Sequence, residues 1–104
     1  MANPYAGEVA VTIDGVAHTC KLTLGALAEL EGSLSEPSLV SLVQRFEGGA
    51  YAGRDVLAVI VAGLRGGGWT GTSDDLLSAD IEGGAVGAAR VAATLLARAF
   101  ASPE

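Results

Sequence analysis

Cys20 and His18 carry the most reactive side chains of the chain, and they lie two positions apart in a segment of alternating polarity. A thiol beside an imidazole can form the ion pair that activates a cysteine nucleophile. No Asn or Asp is placed to orient the imidazole, and an apolar face shared with Val9 and Val11 gives no reason for a depressed thiol pKa. We therefore predict core or interface positions for both residues. A small-molecule or redox role for Cys20 and His18 is the less favoured alternative, and one Cys with one His falls short of a structural zinc site.

A second candidate is the glycine-rich segment 66–71, which reads G-x-G-x-x-G. In a dinucleotide-binding loop this spacing follows a strand and opens a helix, so that the helix N-terminus meets the pyrophosphate. Here the preceding apolar segment has a helical pattern. We therefore predict that these glycines end a helix, and we expect no cofactor.

The acidic residues also lack a catalytic arrangement. The densest acidic stretch contains Asp74, Asp75, Asp80 and Glu82. Its spacing differs from that of a calcium-binding EF-hand loop. Glu29 and Glu31 lie two residues apart on a predicted helix and therefore diverge. We predict helix caps and solvated loops for these carboxylates, and no enzymatic activity.

A β-hairpin is the clearest element that the sequence predicts. Residues 8–13 alternate between apolar and polar side chains, as a half-buried strand does, and residues 16–22 continue the alternation from Val16. Asp14-Gly15 between them is a favoured pair for a two-residue type I′ loop. With this loop, Glu8 lies opposite Lys21, which is a favourable cross-strand charge pair.

Helices are predicted for the rest of the chain, because an isolated hairpin is only marginally stable in water. The fold class is therefore α+β, mostly α, with four to five short helices in a single domain over residues 1–104. The predicted helices are 24–30, capped by Thr23 and ended at Gly32; 39–46, with Pro37 at its start and Gly48-Gly49 at its end; 56–65, after a loop at 50–53 and with Asp55 in its first turn; 74–79, capped by Ser73; and 84–101.

The last predicted helix has an unusually wide apolar surface. Its polar residues Arg90, Thr94 and Arg98 form one narrow strip, whereas a surface helix normally has a broad polar face. The helix is therefore either central to the domain or has one side reserved for a partner. Trp69, alone in a glycine-rich loop, is either a core anchor or an interface anchor. The residues that we predict to contact a protein partner are Trp69, Leu95, Leu96 and Phe100.

Composition narrows the classes of partner. The chain has 104 residues with 12 acidic and 6 basic side chains, a net charge of −6. The basic residues are spread singly, whereas binding to nucleic acid needs clustered cations, and an acidic chain is repelled by an anionic membrane. The longest apolar run, 56–64, is far shorter than the ~20 residues that span a bilayer. With one cysteine and no visible secretion signal, we expect a cytoplasmic protein.

Several stretches resemble a known family over nearly the whole chain. They are Asn3 with Gly7-Glu8-Val9, Ile13-Asp14-Gly15, residues 22–31 (LTLGALAELE), Arg54-Asp55-Val56, residues 62–68 (AGLRGGG) and Ile81-Glu82-Gly83-Gly84. Together they are similar to the gene transfer agent tail protein family, small proteins encoded in phage-like particle clusters of alphaproteobacteria. These motifs are structural and bring no catalytic residue with them.

The resemblance implies a role in building a siphophage-like tail. The favoured function is a tail assembly chaperone that binds the long, apolar helical tape-measure protein, and the alternative is a structural component of the tail tube. Tubes are usually built from larger β-sheet domains that form rings, whereas this sequence predicts one hairpin. The implied partners are the tape-measure protein or tube subunits. The sequence leaves open a homo-oligomer and an association with the phage-like particle.

Overall fold

The N-terminal hairpin has the predicted loop and register in the computed structural model, which describes residues 7–33 and 38–100. Strands β1 (Glu8–Ile13) and β2 (Val16–Lys21) are antiparallel, with Glu8 opposite Lys21. Asp14 has a φ of 51° and Gly15 a φ of 80°. Both values are positive, as a type I′ loop requires, so the local pattern is sufficient to specify this element. Val16, predicted on the apolar face, is exposed at the hairpin tip.

Within the described residues, five helices follow the hairpin and confirm the α+β, mostly α fold class. They are α1 (Leu24–Ser33), α2 (Leu39–Gly48), α3 (Gly53–Gly66), α4 (Ser73–Leu76) and α5 (Gly84–Ala99). Helix α3 ends at Gly66 and is followed by Gly67 as its C-cap, so the glycine-rich segment ends a helix as predicted. Pro37, predicted at the start of α2, lies outside the described residues, as does Ala101.

Two helix starts differ from the prediction because an Asp side chain reaches back to the preceding backbone. The Asp55 carboxylate accepts a hydrogen bond from the Ala52 backbone N–H at 2.7 Å, so α3 begins at Gly53 within the predicted loop. The Asp75 carboxylate likewise accepts from the Thr72 N–H at 2.8 Å. Thr72, and not Ser73, is therefore the N-cap of α4.

Helix α4 is also shorter than the predicted 74–79, for a tertiary reason. The chain after it returns to the hairpin loop, where the Asp80 N–H donates to Asp14 Oδ1 at 2.9 Å and the Asp14 N–H donates to the Asp80 carbonyl at 2.8 Å. Ile81 then pairs with Ile13 as a single antiparallel bridge. This contact joins residues far apart in the chain, so the local pattern could not predict it.

The core lies between the hairpin and the helices, and α3 packs against β2, α1 and α5. Its fully buried side chains include Cys20, Leu30, Leu42, Val59, Ile60, Leu64, Leu95 and Leu96. A Cβ at Gly63 would lie 2.7 Å from Leu95 Cδ1 and 3.2 Å from Cys20 Cβ. The missing side chain at Gly63 therefore allows α5 and β2 to pack closely against α3.

Both outer edges of the hairpin are in contact with other parts of the chain. On β1, the Thr12 carbonyl accepts from the Glu82 N–H at 2.9 Å, and the Glu8 carbonyl accepts from the Arg98 guanidinium. On β2, the carbonyl oxygens of Thr19 and Lys21 face the end of α3, where an added Cβ on Gly67 or Gly66 would lie only 1.9 Å from them. These contacts leave little free edge for pairing with a strand of another chain.

Candidate partner-binding surface

Leu95 and Leu96, two of the predicted partner contacts, lie in the core. Their exposed fractions are 1% and 2%, because α5 turns this face toward α3 and the hairpin. Neither side chain can touch a partner while the domain is folded in this way. The apolar periodicity identified an important face of α5 but could not tell a core contact from an external one.

Trp69 is half-buried and packs against the core. Its indole covers Gly71, where a Cβ would lie 2.2 Å from Trp69 Cζ2, and the Arg65 guanidinium donates to the Gly71 carbonyl at 3.0 Å. The ring is therefore held by its own loop. It also lines a cleft of about 450 Å³ beside α1, together with Thr23 and Glu29.

Phe100, which caps the end of α5, is 44% exposed, and its N–H donates to the Leu96 carbonyl at 3.1 Å. The four predicted contacts thus divide into two core residues and two partly exposed aromatic residues. Partner contact through Trp69 and Phe100 stays a prediction.

A surface that the sequence did not single out lies along the first half of α5, next to the face that packs in the core. It is a groove of about 620 Å³ between the end of α2, the start of α3 and the first half of α5, which we call the α5 groove. Its apolar lining includes Phe46, Tyr51, Val56, Val86, Ala89 and Ala93. Val86 is 70% exposed there and forms a contiguous apolar patch with its neighbours in the groove. The wide apolar arc of the last helix was the sequence signal for this groove.

The wall that α2 and α3 contribute to the α5 groove is held by two contacts. The rings of Phe46 and Tyr51 are stacked, with centroids 4.7 Å apart and planes 5° from parallel. Behind them the Arg45 guanidinium forms an ion pair with the buried Asp55 carboxylate, which joins α2 to α3. Because Asp55 also accepts from the Ala52 N–H, its charge is doubly compensated.

The charge of the α5 groove is opposite in sign to that of the chain. Arg90 lines it, and none of the described lining residues is acidic. The protein as a whole carries a net charge of −6. The groove therefore combines an apolar lining with one exposed cation.

The environment of Cys20 disfavours a reactive pair with His18. Burial raises the pKa of the Cys20 thiol from its usual 9.0 to about 12, which disfavours the nucleophilic thiolate at neutral pH. His18 is half-buried in β2, where it lies opposite Val11. Within residues 7–33 and 38–100, no cluster of His, Cys, Asp and Glu side chains could hold a metal ion.

Comparison with known proteins identifies the family of this chain. Residues 6–102 match the model of a family of phage tail proteins. The chain therefore belongs to this family, which is described as "Phage tail tube protein, GTA-gp10". The predicted relationship to gene transfer agent and phage tail proteins is confirmed. No curated protein matches the chain, and no solved structure does. None of the helices in the described part of the chain has the length and apolar character needed to span a bilayer.

Proposed function

We propose that this protein is a tail assembly chaperone that binds the tape-measure protein while the tail is built. It acts in the cytoplasm while the phage-like particle is assembled. It works by binding rather than by catalysis. The observation that carries the proposal is the α5 groove, an exposed apolar surface in a small acidic domain.

The shape and chemistry of the groove support a helical partner. Amphipathic helices bind proteins by laying their apolar face in a hydrophobic groove. A tape-measure protein, which is long, helical and apolar, would present many such faces. Covering them would prevent their aggregation until tube subunits assemble around the helix.

The net charge supports the same role. At −6 over 104 residues the domain repels its own copies at a distance, which favours solubility. A complex that takes its surface charge from such domains would stay dispersed even though its centre is apolar.

The alternative is a retained component of the tail tube, and the family description supports this alternative directly. The contacts along both edges of the hairpin weigh against ring formation by strand pairing. The Thr12 and Glu8 carbonyls are already hydrogen-bonded, and the β2 edge lies against Gly66 and Gly67. A tube role would need either a rearrangement of these edges or a ring built through helices.

Coexpression with the tape-measure protein tests the chaperone role. We expect that the tape-measure protein aggregates when expressed alone, and that it is soluble and copurifies with this protein when both are expressed. An unrelated acidic domain of similar size serves as the control for a general effect of charge. Absence of both solubility and copurification would refute the proposal.

Quantitative mass spectrometry of purified particles separates the two candidate functions. A chaperone is expected to be absent or far below the copy number of the major tube subunit. A copy number equal to that of a tube subunit would establish the structural alternative.

A further inference from the structure

The geometry of the α5 groove points to a more specific partner surface. We infer that the groove binds an amphipathic helix of the tape-measure protein, and that an acidic residue beside the apolar face of this helix pairs with Arg90. The inference rests on the proposed function, because it takes the tape-measure protein as the partner. It adds the charge of the bound segment and the residue of this chain that pairs with it.

The spacing of small residues on α5 fits a helix as the occupant. Ala85, Ala89 and Ala93 follow one another at four-residue intervals, so they form one stripe along the groove. Their short side chains let a second helix approach α5 closely, and Val86 beside them offers a larger contact. A partner helix would insert side chains spaced at three and four residues into the space between this stripe and Tyr51.

The charge of Arg90 indicates which type of residue the bound helix carries beside its own apolar face. Three other arginines are engaged within the chain: Arg45 with Asp55, Arg65 with Glu29 and Arg98 with the Glu8 carbonyl. In the part of the chain that the structure describes, the Arg54 and Arg90 guanidinium groups have no such partner, and of the two only Arg90 lines the α5 groove. It lies at the groove of an otherwise acidic protein, so a carboxylate on the bound helix would be attracted here and repelled by most of the remaining surface.

A second copy of this chain is a poorer occupant. In a symmetric dimer the same patch is used by both subunits. Packing α5 against α5 about an axis at Ala89 would bring the two Arg90 side chains close together. Like charges in such an interface are unfavourable, so the groove favours a different chain.

The test uses the full chain coexpressed with the tape-measure protein and compares two variants with two matched controls. Val86→Asp places a charge in the apolar groove, and Arg90→Glu reverses the charge that would contact the partner. Leu24→Asp is the control for the first variant, since Leu24 is 84% exposed on α1 and does not line the groove. Arg54→Glu is the control for the second, since Arg54 is exposed and outside the groove.

We expect Val86→Asp to weaken binding by about tenfold or more and Arg90→Glu by about threefold to tenfold, with the second effect smaller at high salt. Both controls should bind as the wild type does. Circular dichroism and thermal melting check that each variant folds. If Val86→Asp does not fold, Ala93→Glu at the exposed end of the same stripe replaces it.

Each outcome is decisive for one of the two proposals. If the wild type binds and the groove variants bind equally well, the groove is not the site, although the chaperone role stands. If Val86→Asp loses binding and Arg90→Glu does not, the acidic contact is refuted. If the wild type does not bind at all, the proposed function fails and this inference fails with it. A dimer of the wild type that Val86→Asp dissociates would assign the groove to a second copy instead.

Discussion

The two sides of α5 are built from similar residues but differ in what covers them. One side contributes Ala88, Ala92, Leu95 and Leu96 to the core. The adjoining side presents Ala85, Val86, Ala89 and Ala93 to the α5 groove, which Ala88 also lines at the boundary between the two sides. The buried side has a neighbour because Gly63 lets α3 approach it, whereas nothing in the described chain fills the groove. Small apolar residues therefore permit close packing on both sides of a helix, and the tertiary fold determines which side is used internally.

The largest effect is expected from Leu96→Asp on the buried side. A carboxylate at this position would be buried without a partner, so we expect a loss of about 4 kcal/mol or more and failure to fold at 37 °C. Chemical denaturation and circular dichroism measure this loss. A variant that keeps the wild-type melting temperature but no longer binds its partner would instead show that Leu96 belongs to an external surface.

Removing the charge of Asp55 tests the wall of the α5 groove. Asp55→Asn keeps the size of the side chain but breaks the ion pair with Arg45, and we expect a loss of about 2–3 kcal/mol because Asp55 is buried. Asp74→Asn on exposed α4 is the matched control and should change the free energy of unfolding by less than about 0.5 kcal/mol. Urea denaturation distinguishes the two, and equal effects would mean that the ion pair contributes nothing to stability.

A pair of glycine substitutions in α3 compares the contact with the buried side of α5 with the end of the α5 groove. Gly63→Ala places a methyl group 2.7 Å from Leu95 Cδ1, so we expect a loss of about 1–2 kcal/mol. Gly53→Ala lies at the groove end of the same helix with nothing within 4 Å, so it should leave stability unchanged or raise it by up to about 1 kcal/mol. Thermal melts of both variants make the comparison. The idea of close packing at Gly63 would be wrong if Gly63→Ala were as stable as Gly53→Ala.

The buried Cys20 thiol predicts a dependence of stability on alkaline pH. The folded-state pKa is about 12 against an ordinary value of 9.0, so above pH 9 the unfolded chain loses this proton first. The contribution of Cys20 is therefore complete below pH 9 and falls by up to about 1.4 kcal/mol per pH unit as the pH rises toward 12.

Urea denaturation of wild type and Cys20→Ala at pH 8 and pH 10.5 isolates this contribution from that of other titrating groups. The wild-type advantage should shrink at the higher pH. We also expect the buried Cys20 thiol of the native protein to be labelled slowly at pH 7. Rapid labelling would revive the alternative of a reactive Cys20 beside His18.

The smallest effect on stability is expected from Val86→Asp on the side of α5 that lines the α5 groove. Because Val86 is exposed, we expect a change below about 0.5 kcal/mol, in contrast to the same charge introduced at Leu96. Melting temperatures of the two variants complete the comparison. A large loss at Val86 would show that the groove is closed over this residue in solution.

The elements that local pattern predicted correctly are those whose cause lies within a few residues. Alternation and Asp14-Gly15 specify the hairpin and its register, and glycine specifies the end of α3. The starts of α3 and α4 were missed because a carboxylate three residues into the helix can hold the backbone as effectively as a capping residue. Apolar periodicity marks a face without saying what it meets, so it could not separate the buried Leu95 and Leu96 from the exposed Phe100.

Hydrophobic pattern and turn chemistry were thus enough to predict the fold class and the hairpin, and the resemblance of several stretches to a known family indicated the relationship to phage tail proteins. Contacts between distant parts of the chain determined the rest. The Ile13–Ile81 bridge shortened α4, and the contact of Gly63 with Leu95 drew one side of α5 into the core. The ion pair of Arg45 with Asp55 holds the wall that α2 and α3 form on the groove side of α5. These choices depend on which surfaces meet in three dimensions, because burial is a property of the neighbours of a residue and not of the residue alone.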